Sequence, residues 1–154
     1  MRATTAGARE MPAAVVGLPD TSPWTLARLF GDLVDLGDLR VIVITPGSVF
    51  ECICRIRGCG FASGWLNAMT EGYHWHVDPR AIRFARACDE VHERSGRQVL
   101  YLQLATSPEA EPSFAIYLHR PSGEPWSAER FDRFARLREV FEGGRELAIE
   151  RADA

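Results

Sequence analysis

Three short turns constrain this chain more than any other feature. Thr45-Pro46-Gly47-Ser48, Glu71-Gly72 and Ser95-Gly96 each lie between segments of strand character. Each is too short for the crossover that parallel strands require, so the segments they join must run antiparallel. Arg40–Ile44 is an apolar, β-branched run, and Val49–Ile56 alternates Val, Glu, Ile and Arg with Phe, Cys, Cys and Ile, which makes a hairpin. Gly58 and Gly60 are expected to break it. Trp65–Thr70 and Tyr73–Val77 form a second pair, and Gln98–Ala105 and Ser113–His119 are further strands.

Helices flank these strands. Ser22-Pro23 is a start signal, and Leu26, Leu29, Phe30, Leu33 and Leu36 follow at helical spacing until Gly37. Ser127 caps a second helix, with Phe131, Phe134, Leu137 and Phe141 as its buried stripe and Gly143-Gly144 as its stop. Ala81–Glu93 has the Ala, Arg and Glu content of a helix, while its tight link to Gln98–Ala105 favours one arm of a long hairpin. Helix, linked strands, helix is an α+β order: a single domain with a mostly antiparallel β-sheet flanked by N- and C-terminal helices. At 154 residues one domain is expected. It spans 21–145, with an N-terminal arm over 1–20 and a C-terminal tail over 146–154.

Charge narrows the function classes. A net charge of −3 draws in neither nucleic acid nor an acidic membrane. Arg2 and Arg9 are not followed by an apolar leader, and no run approaches a membrane span, so a cytoplasmic protein with reduced thiols is expected. All 18 basic residues are arginine, and each carries a planar fork suited to carboxylates.

Gly64 to Val77 holds two histidines, a tyrosine and two tryptophans. His74 and His76 are two residues apart, so on a strand both imidazoles leave one face. Such a pair can ligate a metal, and beside flat apolar surface it suits an iron-bearing planar ligand. His76 is the first candidate and His74 the second. Tyr73 falls on the opposite face unless a bulge beside Glu71-Gly72 reverses it. Trp65, Met69 and Trp75 are candidate apolar walls. Arg80, Arg83 and Arg120 are candidate carboxylate clamps. His92 and His119 read as surface or edge residues. Cys52, Cys54 and Cys59 raise the idea of zinc, but C-x-C with a third Cys five residues on is not a standard spacing, and free thiols are expected. A cupin-like His-x-His site needs a Glu soon after the pair, where this chain has Asp78-Pro79-Arg80. No acid/base pair, phosphate loop or nucleophile motif stands out.

Four blocks resemble the small haem-utilisation carriers of the ChuX/HutX type, which correspond to one half of the tandem HemS/ChuS haem-trafficking proteins. They are Leu36-Gly37 with Val41–Thr45; Gly47-Ser48-Val49-Phe50-Glu51; Gly64-Trp65-Leu66-Asn67 with His76-Val77; and Phe114–Arg120 with the helix bearing Phe134 and Leu137. The likeness covers about Leu36 to Phe141. The departures are Trp75 for the family's glycine before its histidine, Ala68 for a leucine, His119-Arg120-Pro121 for Gly-Arg-Asp, and Ile44 where some members have a histidine. The resemblance implies a strand over 81–93 and a homodimeric haem (or related tetrapyrrole) binder that passes its cargo to a degrading or reducing partner. The alternatives are a small metal- or haem-dependent enzyme using His74 and His76, and an interaction domain with no small ligand.

Overall fold

The computed structural model describes residues 22–150, so the 1–20 arm lies outside the described residues. Helix α1 spans Leu26–Val34, followed by strands β1 (Leu39–Thr45), β2 (Ser48–Cys54), β3 (Gly58–Ala62), β4 (Trp65–Met69) and β5 (His74–Val77). Then come β6 (Phe84–Val91), β7 (Gln98–Ala105), β8 (Phe114–Leu118), helix α2 (Ala128–Phe141) and the short β9 (Arg145–Glu146). Six strands form one antiparallel sheet in the order β2-β1-β8-β7-β6-β9, and β3-β4-β5 form a second. Helix α1 packs on the small sheet and α2 on β6.

The core lies on one face of the large sheet. Leu39 and Val41 of β1, Leu100, Leu102 and Leu104 of β7, and Ile116 and Leu118 of β8 share that face and are buried. They meet Leu26, Leu29, Phe30 and Leu33 of α1 and Phe134, Leu137 and Phe141 of α2, all nearly inaccessible. This is the apolar stripe that helical spacing requires.

The segment 81–93 is a strand: eight residues of β6 pair with β7 from Phe84↔Ala105 to Val91↔Gln98. Cross-strand partners override the local helical composition. Four other expectations are corrected. Helix α1 begins at Leu26, with the Thr25 hydroxyl accepting from Arg28 N at 3.2 Å. Ser22-Pro23 cannot start it, because Trp24 O accepts from Ala148 N at 2.8 Å and Thr25 bridges Ala148, which keeps this entry extended. Gly58 and Gly60 lie within β3, an edge strand whose partner β4 compensates their conformational cost. Phe131 is exposed and borders the groove between α2 and the sheet, so the buried stripe starts at Phe134. Finally, residues 145–150 stay packed: β9 pairs with β6, Leu147 is buried, and Glu150 Oε1 accepts from Ala27 N at 2.8 Å.

Turn chemistry fixes the small sheet. Ser63 (φ 52°) and Gly64 (φ 78°) both take positive φ between β3 and β4. That is the two-residue hairpin geometry matching strand twist, and Gly64 adopts it without Cβ strain. The register then runs Phe61↔Leu66 across the first hairpin and Asn67↔His76 across the second.

Phe30 is fully buried where α1 meets both sheets. Phe30→Ala is expected to lower unfolding stability by about 3–5 kcal/mol, the range for a core Phe truncated to a cavity. Urea denaturation should show the loss as a lower midpoint with an unchanged slope.

Candidate functional site

Strand β5 alternates Trp75 and Val77 inward with His74 and His76 outward. The Trp75 ring lies 5.2 Å from Phe30 and 4.9 Å, edge-on, from Phe114, so it joins α1 and the large sheet. With Trp75 seated there, its neighbours must face out. His74 and His76 are both exposed, with ring centroids 6.3 Å apart and planes at 88°.

On the same outward face, Met69 stands opposite His74 and Asn67 opposite His76, with Trp65 beyond. The next strand adds almost nothing: Gly58 faces Met69, Gly60 faces Asn67, and a Cβ at either glycine would meet no atom within 4 Å. The result is a shelf with two imidazoles on one side, a thioether and an indole beside them, and bare backbone beyond.

Asn67 sets the chemistry of His76. Its amide Nδ2 donates to Trp65 O at 3.3 Å, which leaves Oδ1 directed at His76 Nδ1. A carbonyl oxygen only accepts, so Nδ1 carries the proton and the lone pair of neutral His76 sits on Nε2. This arrangement leaves Nε2 able to ligate a metal while the Nδ1–H bond fixes the ring.

The structure brings His74, His76, Trp65 and Met69 together and sends the other candidates elsewhere. Trp75 faces the core and is no part of the shelf. Tyr73 crosses to β2, where its hydroxyl donates to Ile53 O at 3.1 Å. Its hydrogen bond with Cys52, then desolvation, pushes its pKa up to about 12, which disfavours a phenolate ligand. Arg80 closes its fork on Asp78, at 2.9 Å from Nε to Oδ1 and 3.2 Å from Nη2 to Oδ2. Those hydrogen bonds hold the Asp78 carboxyl below the usual range. Arg83 spends Nε and Nη2 on Leu147 O, at 3.2 and 2.8 Å.

Arg120 belongs to a different cleft, of about 370 Å³. Arg40, Ile42 and Tyr117 line it from the outer face of the large sheet, opposite Leu39 and Val41. Arg97, His92, His119 and Trp126 complete it, and among the described residues no acid lines it. The Arg120 guanidinium lies 4.1 Å over the Trp126 ring. Arg120 Nε and Trp126 Nε1 are buried with no hydrogen-bond partner among the described residues. Sequence reasoning missed this cleft, because its residues come from separate strands and a loop with no periodic signal. Only the shared parity of Arg40 and Ile42 on β1 hinted at it.

The cysteines are free thiols among the described residues. Cys52 and Cys54 face a cleft of about 300 Å³ bordered by Val43, Tyr73 and Trp75. Cys59 lies on β3, where burial, then the Glu150 charge, raises its pKa. Among the described residues no three His, Cys, Asp or Glu side chains cluster as a metal set, so the four-ligand zinc idea finds no support. Among the described residues no helix is long and apolar enough to cross a membrane.

The fold is that of haem-handling proteins already solved. The haem-binding protein ChuX superposes with a TM-score of 0.62 at 14% identity, over 75% of this chain and 71% of its own. ChuS, described as an E. coli haem oxygenase, gives 0.59 at 20% identity, over 75% of this chain and 36% of its own. An Agrobacterium tumefaciens protein gives 0.61 at 18% identity, over 74% of this chain and 65% of its own. The ChuX/HemS-like α+β architecture expected from the sequence is therefore present. No protein-family description and no curated protein matches the sequence.

Burial, then the neighbouring Cys52, pushes the Cys54 thiol from its usual 9.0 up to about 11. The native chain thus keeps a proton that the unfolded chain releases above pH 9. Stability from this group is complete below about pH 9 and is lost as pH climbs through about 11. Melting temperature recorded across that window should fall less steeply for Cys54→Ala than for the parent chain. Parallel curves would contradict the assignment.

Proposed function

We propose that this chain binds haem, or a related tetrapyrrole, on the outward face of the small sheet, with His76 Nε2 as the iron ligand. One observation carries the reading: Asn67 holds the His76 proton on Nδ1 and leaves Nε2 free above an unobstructed shelf. The residues fit such a group. A neutral imidazole suits iron, Met69 and Trp65 give apolar contact, and the two glycines let a flat macrocycle approach backbone. His74 stands beside the ligand as a second ligand or a hydrogen-bond donor. Arg80 is the arginine nearest along the chain, and a propionate there must compete with Asp78.

The likeness to haem-binding proteins supports this chemistry, and holding the group requires no bond-making step. The function is therefore read as transfer, storage or utilisation of haem, with a degrading or reducing partner downstream. Ile44, Val49 and Ile53 are exposed on one face of β1 and β2, which supports a homodimer.

A second reading has its own observation. The outer cleft collects Arg97, Arg120 and Trp126 with two orphaned N–H donors and no acid, so it suits a carboxylate-bearing ligand.

Titration with ferric haem distinguishes these readings. The parent protein should give a saturable Soret band. His76→Ala should lose it or bind at least roughly tenfold more weakly, by about 1.4 kcal/mol or more, while His74→Ala and Arg120→Ala retain it. Loss in Arg120→Ala with retention in His76→Ala moves the ligand to the outer cleft. Haem consumption once a reductant is added makes the chain an enzyme. No binding at all leaves an interaction domain.

A further inference from the structure

We infer that Cys52 and Cys54 form a two-thiolate site for a soft monovalent metal ion, copper(I), in the apolar cleft between β2 and the start of β5. The inference does not rest on the haem reading. Residues 52 and 54 alternate with Ile53 on β2, so both thiols leave the same face. Their partners Val41 and Leu39 on β1 identify it as the core-side face. Because β2 is an edge strand, that face opens into a cleft of about 300 Å³ instead of being sealed. Both cysteines are only partly buried.

Coordination number selects the ion. Zinc in a closed structural site takes four ligands, and this cleft offers two thiols, the His74 imidazole at its border and no carboxylate, with no three such side chains clustered among the described residues. Hard cations need several oxygens. Copper(I) is among the soft ions that thiolates select, and a pair of them is enough to hold it. A disulfide fits worse: alternate residues of a strand place their Cα atoms about 6.6–6.8 Å apart, at the upper limit for that bond.

The step balances without a redox partner. Two thiols release two protons, two S–Cu bonds form, and copper enters and remains as Cu(I). The bound pair carries one negative charge. Tyr73, which lines the same cleft as Cys52, can turn its hydroxyl proton from Ile53 O to the Cys52 thiolate.

The test is copper(I) retention by the full-length chain against a chromophoric copper(I) chelator under anaerobic conditions. The parent chain should keep one equivalent. Cys52→Ser and Cys54→Ser should keep none, while Cys59→Ser and Cys88→Ser keep one. Alkylation of the parent chain, which needs no variant to fold, should show Cys52 and Cys54 shielded by copper(I) and Cys59 and Cys88 labelled as before. Retention by the Cys52→Ser, Cys54→Ser double variant, no retention by the parent chain, or unshielded Cys52 and Cys54 would each overturn the inference.

Discussion

Everything at the candidate site depends on the seat of one indole. Trp75 is wedged between Phe30 of α1 and Phe114 of β8, and it is one of the joints through which the three-stranded sheet meets the six-stranded one. Aromatic contacts of this kind add about 0.5–1.5 kcal/mol beyond the burial of area. The directional consequence is larger. A strand alternates its side chains, so an inward residue 75 obliges residues 74 and 76 to point outward. The two imidazoles share a face because the tryptophan between them does not.

The arginines show a second theme. The chain has 18 cationic side chains and no lysine, yet several forks serve the backbone. Arg130 donates to Leu36 O, Asp38 O and His119 O, at 2.6, 2.6 and 2.8 Å, tying α2 to the entry and exit of the central strands. Burial pulls its pKa below the usual value. Arg83 does the same for Leu147, and so secures the C-terminal segment. A guanidinium can satisfy several carbonyls at once with little reorganisation, which a lysine ammonium cannot match. Arg97 and Arg120 differ, because they converge on a cleft without acids.

Much of this was legible in the sequence. Short turns demanded antiparallel pairing, and period-2 alternation put His74 and His76 on one face. The same alternation already excluded Trp75 from that face, although composition alone invited it in as a porphyrin wall. The start of α1 was not legible, since Thr25 is chosen by its bridge to Ala148, more than a hundred residues away. Glycines 58 and 60 looked like strand breakers because their cost is local, while the pairing that compensates it comes from β4. The outer cleft was hidden for a similar reason: its members meet only after β1, β7 and β8 pair. Asn67 belongs to the Gly64-Trp65-Leu66-Asn67 block, but its hold on His76 exists only in the β4–β5 register.

The central claim is that an inward Trp75 and an Asn67-held proton present His76 Nε2 to a planar iron chelate. Nitrogen-15 NMR of the histidine rings tests it most directly, with gallium protoporphyrin as a diamagnetic stand-in for haem. The account predicts that His76 is protonated on Nδ1 in the free protein and that its Nε2 resonance moves selectively as the porphyrin is added. A His76 ring protonated on Nε2, or one that stays unmoved while the Trp126 indole resonance shifts, would contradict it.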